Sequence, residues 1–224
     1  ITNSTSAGIL TATSYTFNNT TGNAGTVSAI LAGGSGVNLT QAGSGTTTIS
    51  GINTYGGSTS ITGGTLKVTS TGTLGNNSSL LTITGATLDL QRALTVGSLS
   101  MSGTSPAITN TTGTSSLVVS GTSTLANSIT TSGAQTYTGA VTLGATTTLT
   151  STTSGAINLL SSVNGTSTNT QALTFNTAGT IAVSGVVGTT ISLSTLTITN
   201  SGGTTFTGAV TTGTGVVLTN TTGT

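Results

Sequence analysis

Besides tyrosine, only Lys67, Asp89 and Arg92 can carry charge in this 224-residue chain. They fall close together, between positions 67 and 92. A chain coiling with a rung of about 22 residues would place Lys67 and Asp89 on adjacent coils, on the same face. The three then read as an ion-pair cluster between coils. Catalysis needs more. There is no histidine and one carboxylate, whereas hydrolysis by paired carboxylates needs two. A serine nucleophile needs a base, and only Lys67 could serve. Calcium sites recruit several carboxylates. The expectation is a protein that is not an enzyme, with no catalytic residue, no metal and no cofactor.

Other binding chemistries are equally short of residues. "GGSG" (33–36) and "AGSG" (42–45) lack the Lys-Ser/Thr ending of a phosphate loop and read as turns. Two cations and no basic stripe disfavour nucleic acid. Asn-x-Ser/Thr sequons at Asn3, Asn18, Asn19, Asn38, Asn76, Asn77, Asn110, Asn164 and Asn220 arise from composition alone.

The elements that would carry these residues are strands. Threonine makes up roughly a quarter of the chain and suits a half-exposed strand surface. Glutamate is absent, and Met, Lys and Arg occur once each, so strong helix formers are scarce. Period-2 alternation recurs. "TLKVTS" puts Leu66 and Val68 on one face and Lys67 on the other. "LTITGATLDL" does the same with Leu81 and Ile83, then Leu88 and Leu90. "ISLSTLTITN" shifts phase between Leu193 and Leu196, as a corner or bulge would. Glycine pairs punctuate the runs, and Pro106 marks a turn. No window has the apolar length of a transmembrane helix. The scattered aromatics Tyr15, Phe17, Tyr55, Tyr137, Phe175 and Phe206 form no membrane-barrel girdle. The chain opens "ITNSTSAG", without the basic segment of a signal peptide. Without cysteine, no disulfide can form.

Internal repeats favour one architecture. "GAQTYTGAVTLGATTTLT" (133–150) aligns with "GGTTFTGAVTTGTGVVLT" (202–219), pairing Tyr137 with Phe206. Three coils of about 23 residues each would give that spacing. "ITN" occurs at 1–3, 108–110 and 198–200, with "LTN" at 218–220. The expected fold is all-β: a parallel β-helix, or β-solenoid, of short strands. It forms one continuous domain, 1–224, whether whole or a segment of a longer repetitive chain. The alternative is a β-sandwich subunit with residues 8–17 as a donated strand. Ladders of stacked hydroxyls avoid the repulsion that stacked like charges would suffer.

Residues 39–90 resemble the passenger-associated transport repeat of bacterial autotransporters. The pieces are "AGSGTTTISG" (42–51), "NTYGGST" (53–59), "GGTLKV" (63–68), "TLGNNS" (73–78) and "GATLDL" (85–90). Gly56 stands where the family usually has threonine, and Ser58 replaces a glycine. Residues 133–224 resemble repeats of filamentous-haemagglutinin-like surface proteins. These resemblances imply a secreted, right-handed β-helix at a bacterial cell surface.

The functional expectation is a structural protein: a building block of an extracellular fibre whose partner is itself, stacked end to end. Ile1, Thr2 and Asn3 at one end, with Leu218, Thr219 and Asn220 at the other, are the expected junction. One alternative is an adhesin passenger binding matrix or host-surface glycans. Another is a pilus-like polymer made by donor-strand exchange.

Overall fold

A computed structural model describes residues 8–221. Among them are 25 short strands and no helix. The parallel sheets stack as a β-solenoid of about ten turns. Each turn visits three faces in the same order, and each strand pairs with its counterpart one turn on.

The third face, which opens each turn, starts with Ile9–Thr11, Ile30–Gly33 and Thr54–Tyr55. After a strandless interval it resumes from Ala93–Val96 to Gly203–Phe206. The first face starts at Ser14–Phe17 and Asn38–Gln41, and the second at Ala24–Val27 and Thr46–Ile49. Ser123–Thr131 and Val141–Ser151 run from the first face into the second without a break. Their pairing shifts register between Leu125 and Asn127, where Asn127 takes φ 57°. That bulge lets one strand turn a corner. A similar register shift between Leu193 and Thr195 accounts for the phase change in "ISLSTLTITN".

Alternation drives the stacking. On the second face Leu66, Leu88, Ile108, Ile129, Leu149, Phe175 and Ile198 form one inward column, all buried. The outward column beside it reads Thr46, Thr65, Thr87, Ala107, Ser128, Thr148, Thr174 and Thr197. Each turn covers the apolar face of the next, and hydroxyls meet solvent without charge.

The β-sandwich alternative is not the fold. Sandwiches of hairpins are antiparallel, whereas these sheets are parallel. The stretch expected as a donated strand is built into its own chain: Ile9–Thr11 pairs with Ile30–Gly33, and Ser14–Phe17 with Asn38–Gln41.

The repeat motif at 53–75 has local explanations. Asn53 is buried between turns. Its Oδ1 accepts the Leu31 amide at 2.8 Å, and its Nδ2 donates to the Thr73 carbonyl at 2.7 Å. Tyr55 fills the interior and shares a 2.6 Å hydrogen bond with Thr59 Oγ1. Gly64 takes φ +55°, and a Cβ there would lie 2.1 Å from the Gly45 carbonyl oxygen. Only glycine allows that approach between turns.

Candidate functional site

The charged residues lie where successive turns bring them together. Asp89 pairs in register with Lys67 across neighbouring strands. Lys67 Nζ stands 3.9 Å from Asp89 Oδ2. The carboxylate is buried and the lysine side chain is 33% exposed, so one partner is held and the other reaches into water. Arg92 directs its guanidinium elsewhere and is not part of the ion pair. Its Nη1 donates to the Gly72 carbonyl at 2.7 Å and the Thr71 carbonyl at 3.4 Å, binding the turn below.

Asp89 has two further partners that spacing alone does not reveal. Thr111, one turn on, donates its amide to Oδ1 at 3.1 Å and its hydroxyl to Oδ2 at 2.7 Å. Gln91 donates Nε2 to the same Oδ2 at 3.2 Å and to Thr111 Oγ1 at 3.1 Å. Three consecutive turns thus meet at one carboxylate. Thr111 follows Asp89 by the same interval as Asp89 follows Lys67, but that interval does not single it out from the neighbouring threonines, and Thr109 is the residue in register with Asp89.

A second polar cluster lies fully inside. Gln135 is buried and donates Nε2 to the Thr150 carbonyl at 2.8 Å. Its Oε1 accepts the Tyr137 hydroxyl at 3.0 Å. Burial raises the Tyr137 phenol above its ordinary range. Burial raises Tyr55 as well, offset in part by its bond to Thr59. Both groups are neutral core members.

The described ends differ from the middle. Thr212–Thr221 is a ten-residue strand in the last described turn. It extends the inward column by Leu218, opposite Ile198. Leu218 is 61% exposed, and Val216 and Val217 are nearly half exposed. Thr219 and Asn220 are exposed too, with Asn220 opposite Asn200. At the other end Ile9 and Leu10 are exposed. A 290 Å³ hollow there is lined by Phe17, Gly25, Val27 and neighbours. Ile1, Thr2 and Asn3 lie outside the described residues.

Stacked parallel turns, a threonine-faced surface and interior stacks of aliphatic side chains define a β-solenoid, consistent with an autotransporter passenger-like β-helix. Residues 39–68 match the family model of the passenger-associated-transport-repeat. The match covers Asn53, Tyr55 and Gly64, whose structural roles are described above. No curated protein and no solved structure matches the chain. No helix of the described residues is long and apolar enough to cross a membrane.

Proposed function

We propose that this chain is a structural building block of an extracellular bacterial fibre or filament, extended end to end by β-strand stacking. It works as architecture and not as an enzyme, and its main partner is a further turn of the same kind. That turn belongs either to a second copy or to a covalently continuous repeat.

One observation carries this reading. The second-face column from Leu66 to Ile198 keeps one register through seven successive turns and is buried throughout, so each turn is the template for the next. Natural sheet edges are blunted by charge, proline or bulges, and apart from Lys67, Asp89 and Arg92 the chain has no acidic or basic side chain to oppose stacking of further turns. A docked turn would add several strand hydrogen bonds, each worth about 1 kcal/mol net. Buried aliphatic surface would add roughly 25 cal/mol per Å². The repeat match at 39–68 supports display at the cell surface. A second reading, passenger adhesion to neutral glycans, draws on the uncharged hydroxyl column that begins Thr46, Thr65, Thr87.

The test is a double variant, Leu218→Lys with Thr219→Pro, examined by negative-stain microscopy. The lysine charges the second-face column and the proline removes a backbone donor from the edge. Short or absent fibres are expected. Fibres of unaltered length would place the junction elsewhere.

A further inference from the structure

We propose that the outward side of the first face is an ice-binding surface, whose ligand is the ordered water lattice of a crystal and not a dissolved molecule. Thr40, Ser60, Thr82, Ser100, Thr124 and Thr142 pair in register from turn to turn. They make one outward column of hydroxyls without a gap. Each residue is half-buried, and none of the six hydroxyls is bonded to another group among the described residues. Corner hydroxyls behave differently. Thr153 Oγ1 donates to the Ser132 carbonyl at 2.6 Å and ties two turns together. The column's hydroxyls are left for a ligand.

These groups form a lattice in two directions. Along the axis they recur once per turn, about 4.8 Å apart, and along a strand at every second residue, about 6.7 Å apart. Ser98, Ser100 and Ser102 fill the second direction, beside Thr82 and Thr84 on the previous turn. On the prism face of hexagonal ice, oxygen atoms repeat at right angles with nearly the same two spacings. Threonine adds a stiff β-branched side chain, so its hydroxyl is placed before the ligand arrives.

The other two faces lack this array. On the second, Lys67 and Asp89 stand on successive turns between Thr48 and Thr109. Ions impose a hydration shell of their own, which breaks an ice-like layer. On the third, Val118 and Ala182 interrupt the outward column. The first face carries no charged residue. Dissolved ligands suit it poorly. Small-molecule sites are concave with converging groups, whereas these hydroxyls stand side by side on a sheet. The aromatic rings lie in the core or against it, so none is offered for stacking. One hydroxyl gains little over liquid water. Many held in register gain together, because the fold has already ordered them. This surface lies on the side of the solenoid and needs no end-to-end stacking.

Ice-affinity partition of the purified full chain tests this. Ice is grown slowly from dilute solution, and the fraction of protein held in it is measured. Grain size in an annealed frozen film is the second readout. Wild type should be enriched in the ice and keep grains small. Thr82→Lys with Thr124→Lys, two cations on the first face, should lose both effects. Thr82→Tyr with Thr124→Tyr, uncharged and favourable in strands, should lose them too. Thr136→Lys with Ala182→Lys adds the same charge to the third face and should keep both. Circular dichroism identifies the variants that fold, and the tyrosine pair serves if the lysine pair does not. Three results would overturn the proposal. The first is wild type excluded from ice like an ordinary soluble protein. The second is undiminished partition in a folded first-face variant. The third is an equal loss in the folded third-face variant, which would make added charge the cause.

Discussion

Tyr137 and Phe206 stand in one column of the third face, three turns apart, with Leu159 and Val183 between them. Val141, Val163, Val187 and Val210 span the same interval on the first face. Leu149, Phe175, Ile198 and Leu218 span it on the second. The long repeat in the sequence is therefore a period of three turns. Single turns vary in length because corner loops absorb the difference, while the stacked columns keep register.

Tyr137 is fully buried, whereas Phe206 is only half-buried near the last turn. Tyr137→Ala should lower stability by about 3–5 kcal/mol, from the cavity and from the unpaired Gln135 amide oxygen. Phe206→Ala should cost clearly less. Urea denaturation followed by circular dichroism checks both. Equal losses would show that end turns are packed as tightly as central ones.

Asp89 holds four hydrogen-bond or ionic contacts, while Lys67 contributes one long, partly exposed one. Asp89→Ala should cost about 2–4 kcal/mol, since it strands the Thr111 and Gln91 donors. Lys67→Ala should cost less than Asp89→Ala, because the lysine is partly exposed, its contact is long, and the hydrogen bonds to the carboxylate remain. If the two losses were equal, the ion pair and not the hydrogen-bond clamp would carry the stability.

Much of this is legible in the sequence, for physical reasons. Alternation exposes which residues point inward, so Leu66, Val68, Leu88 and Leu90 can be assigned to the core by reading. The spacing of one coil brings Lys67 to Asp89. The hydrogen-bond partners of Asp89, Thr111 and Gln91, are not legible. Thr111 is one threonine among many, and nothing in its type distinguishes it until the turns are stacked. Gln91 and Gln135 give no signal for a related reason. Their burial depends on groups offered by neighbouring turns, such as the Thr150 carbonyl for Gln135. Arg92 groups with the ion pair by proximity in sequence alone. The chain bends there and aims the guanidinium at the carbonyls of Thr71 and Gly72 instead.

Two glycines should respond oppositely to alanine. Gly64→Ala forces a Cβ onto the Gly45 carbonyl at positive φ and should cost at least about 2 kcal/mol. Gly34 has open space where a methyl would stand and no positive φ, so Gly34→Ala should stay within about 0.5 kcal/mol of wild type. Thermal unfolding of the pair measures this. A neutral Gly64→Ala would mean that the turns can slide apart at little cost.

Stability should be nearly flat from about pH 5 to 9, because almost no side chain titrates there. Above about pH 10 it should fall. The Tyr55 and Tyr137 phenols are raised in the folded state by burial. The unfolded chain then loses protons that the folded chain keeps, and stability declines as pH rises. Denaturation midpoints across pH check this. A transition between about pH 5 and 9 would reveal a coupled group or bound ion that the fold does not explain.

Helical reconstruction of assembled protein by cryo-electron microscopy tests end-to-end stacking most directly. The predicted map shows turns continuing through the junction at about 4.8 Å per rung. The strand Thr212–Thr221 of one unit is covered, and Leu218 is buried beneath the first turn of the next. A map in which Thr212–Thr221 stays exposed, with units joined side by side or through an exchanged strand, would contradict the account.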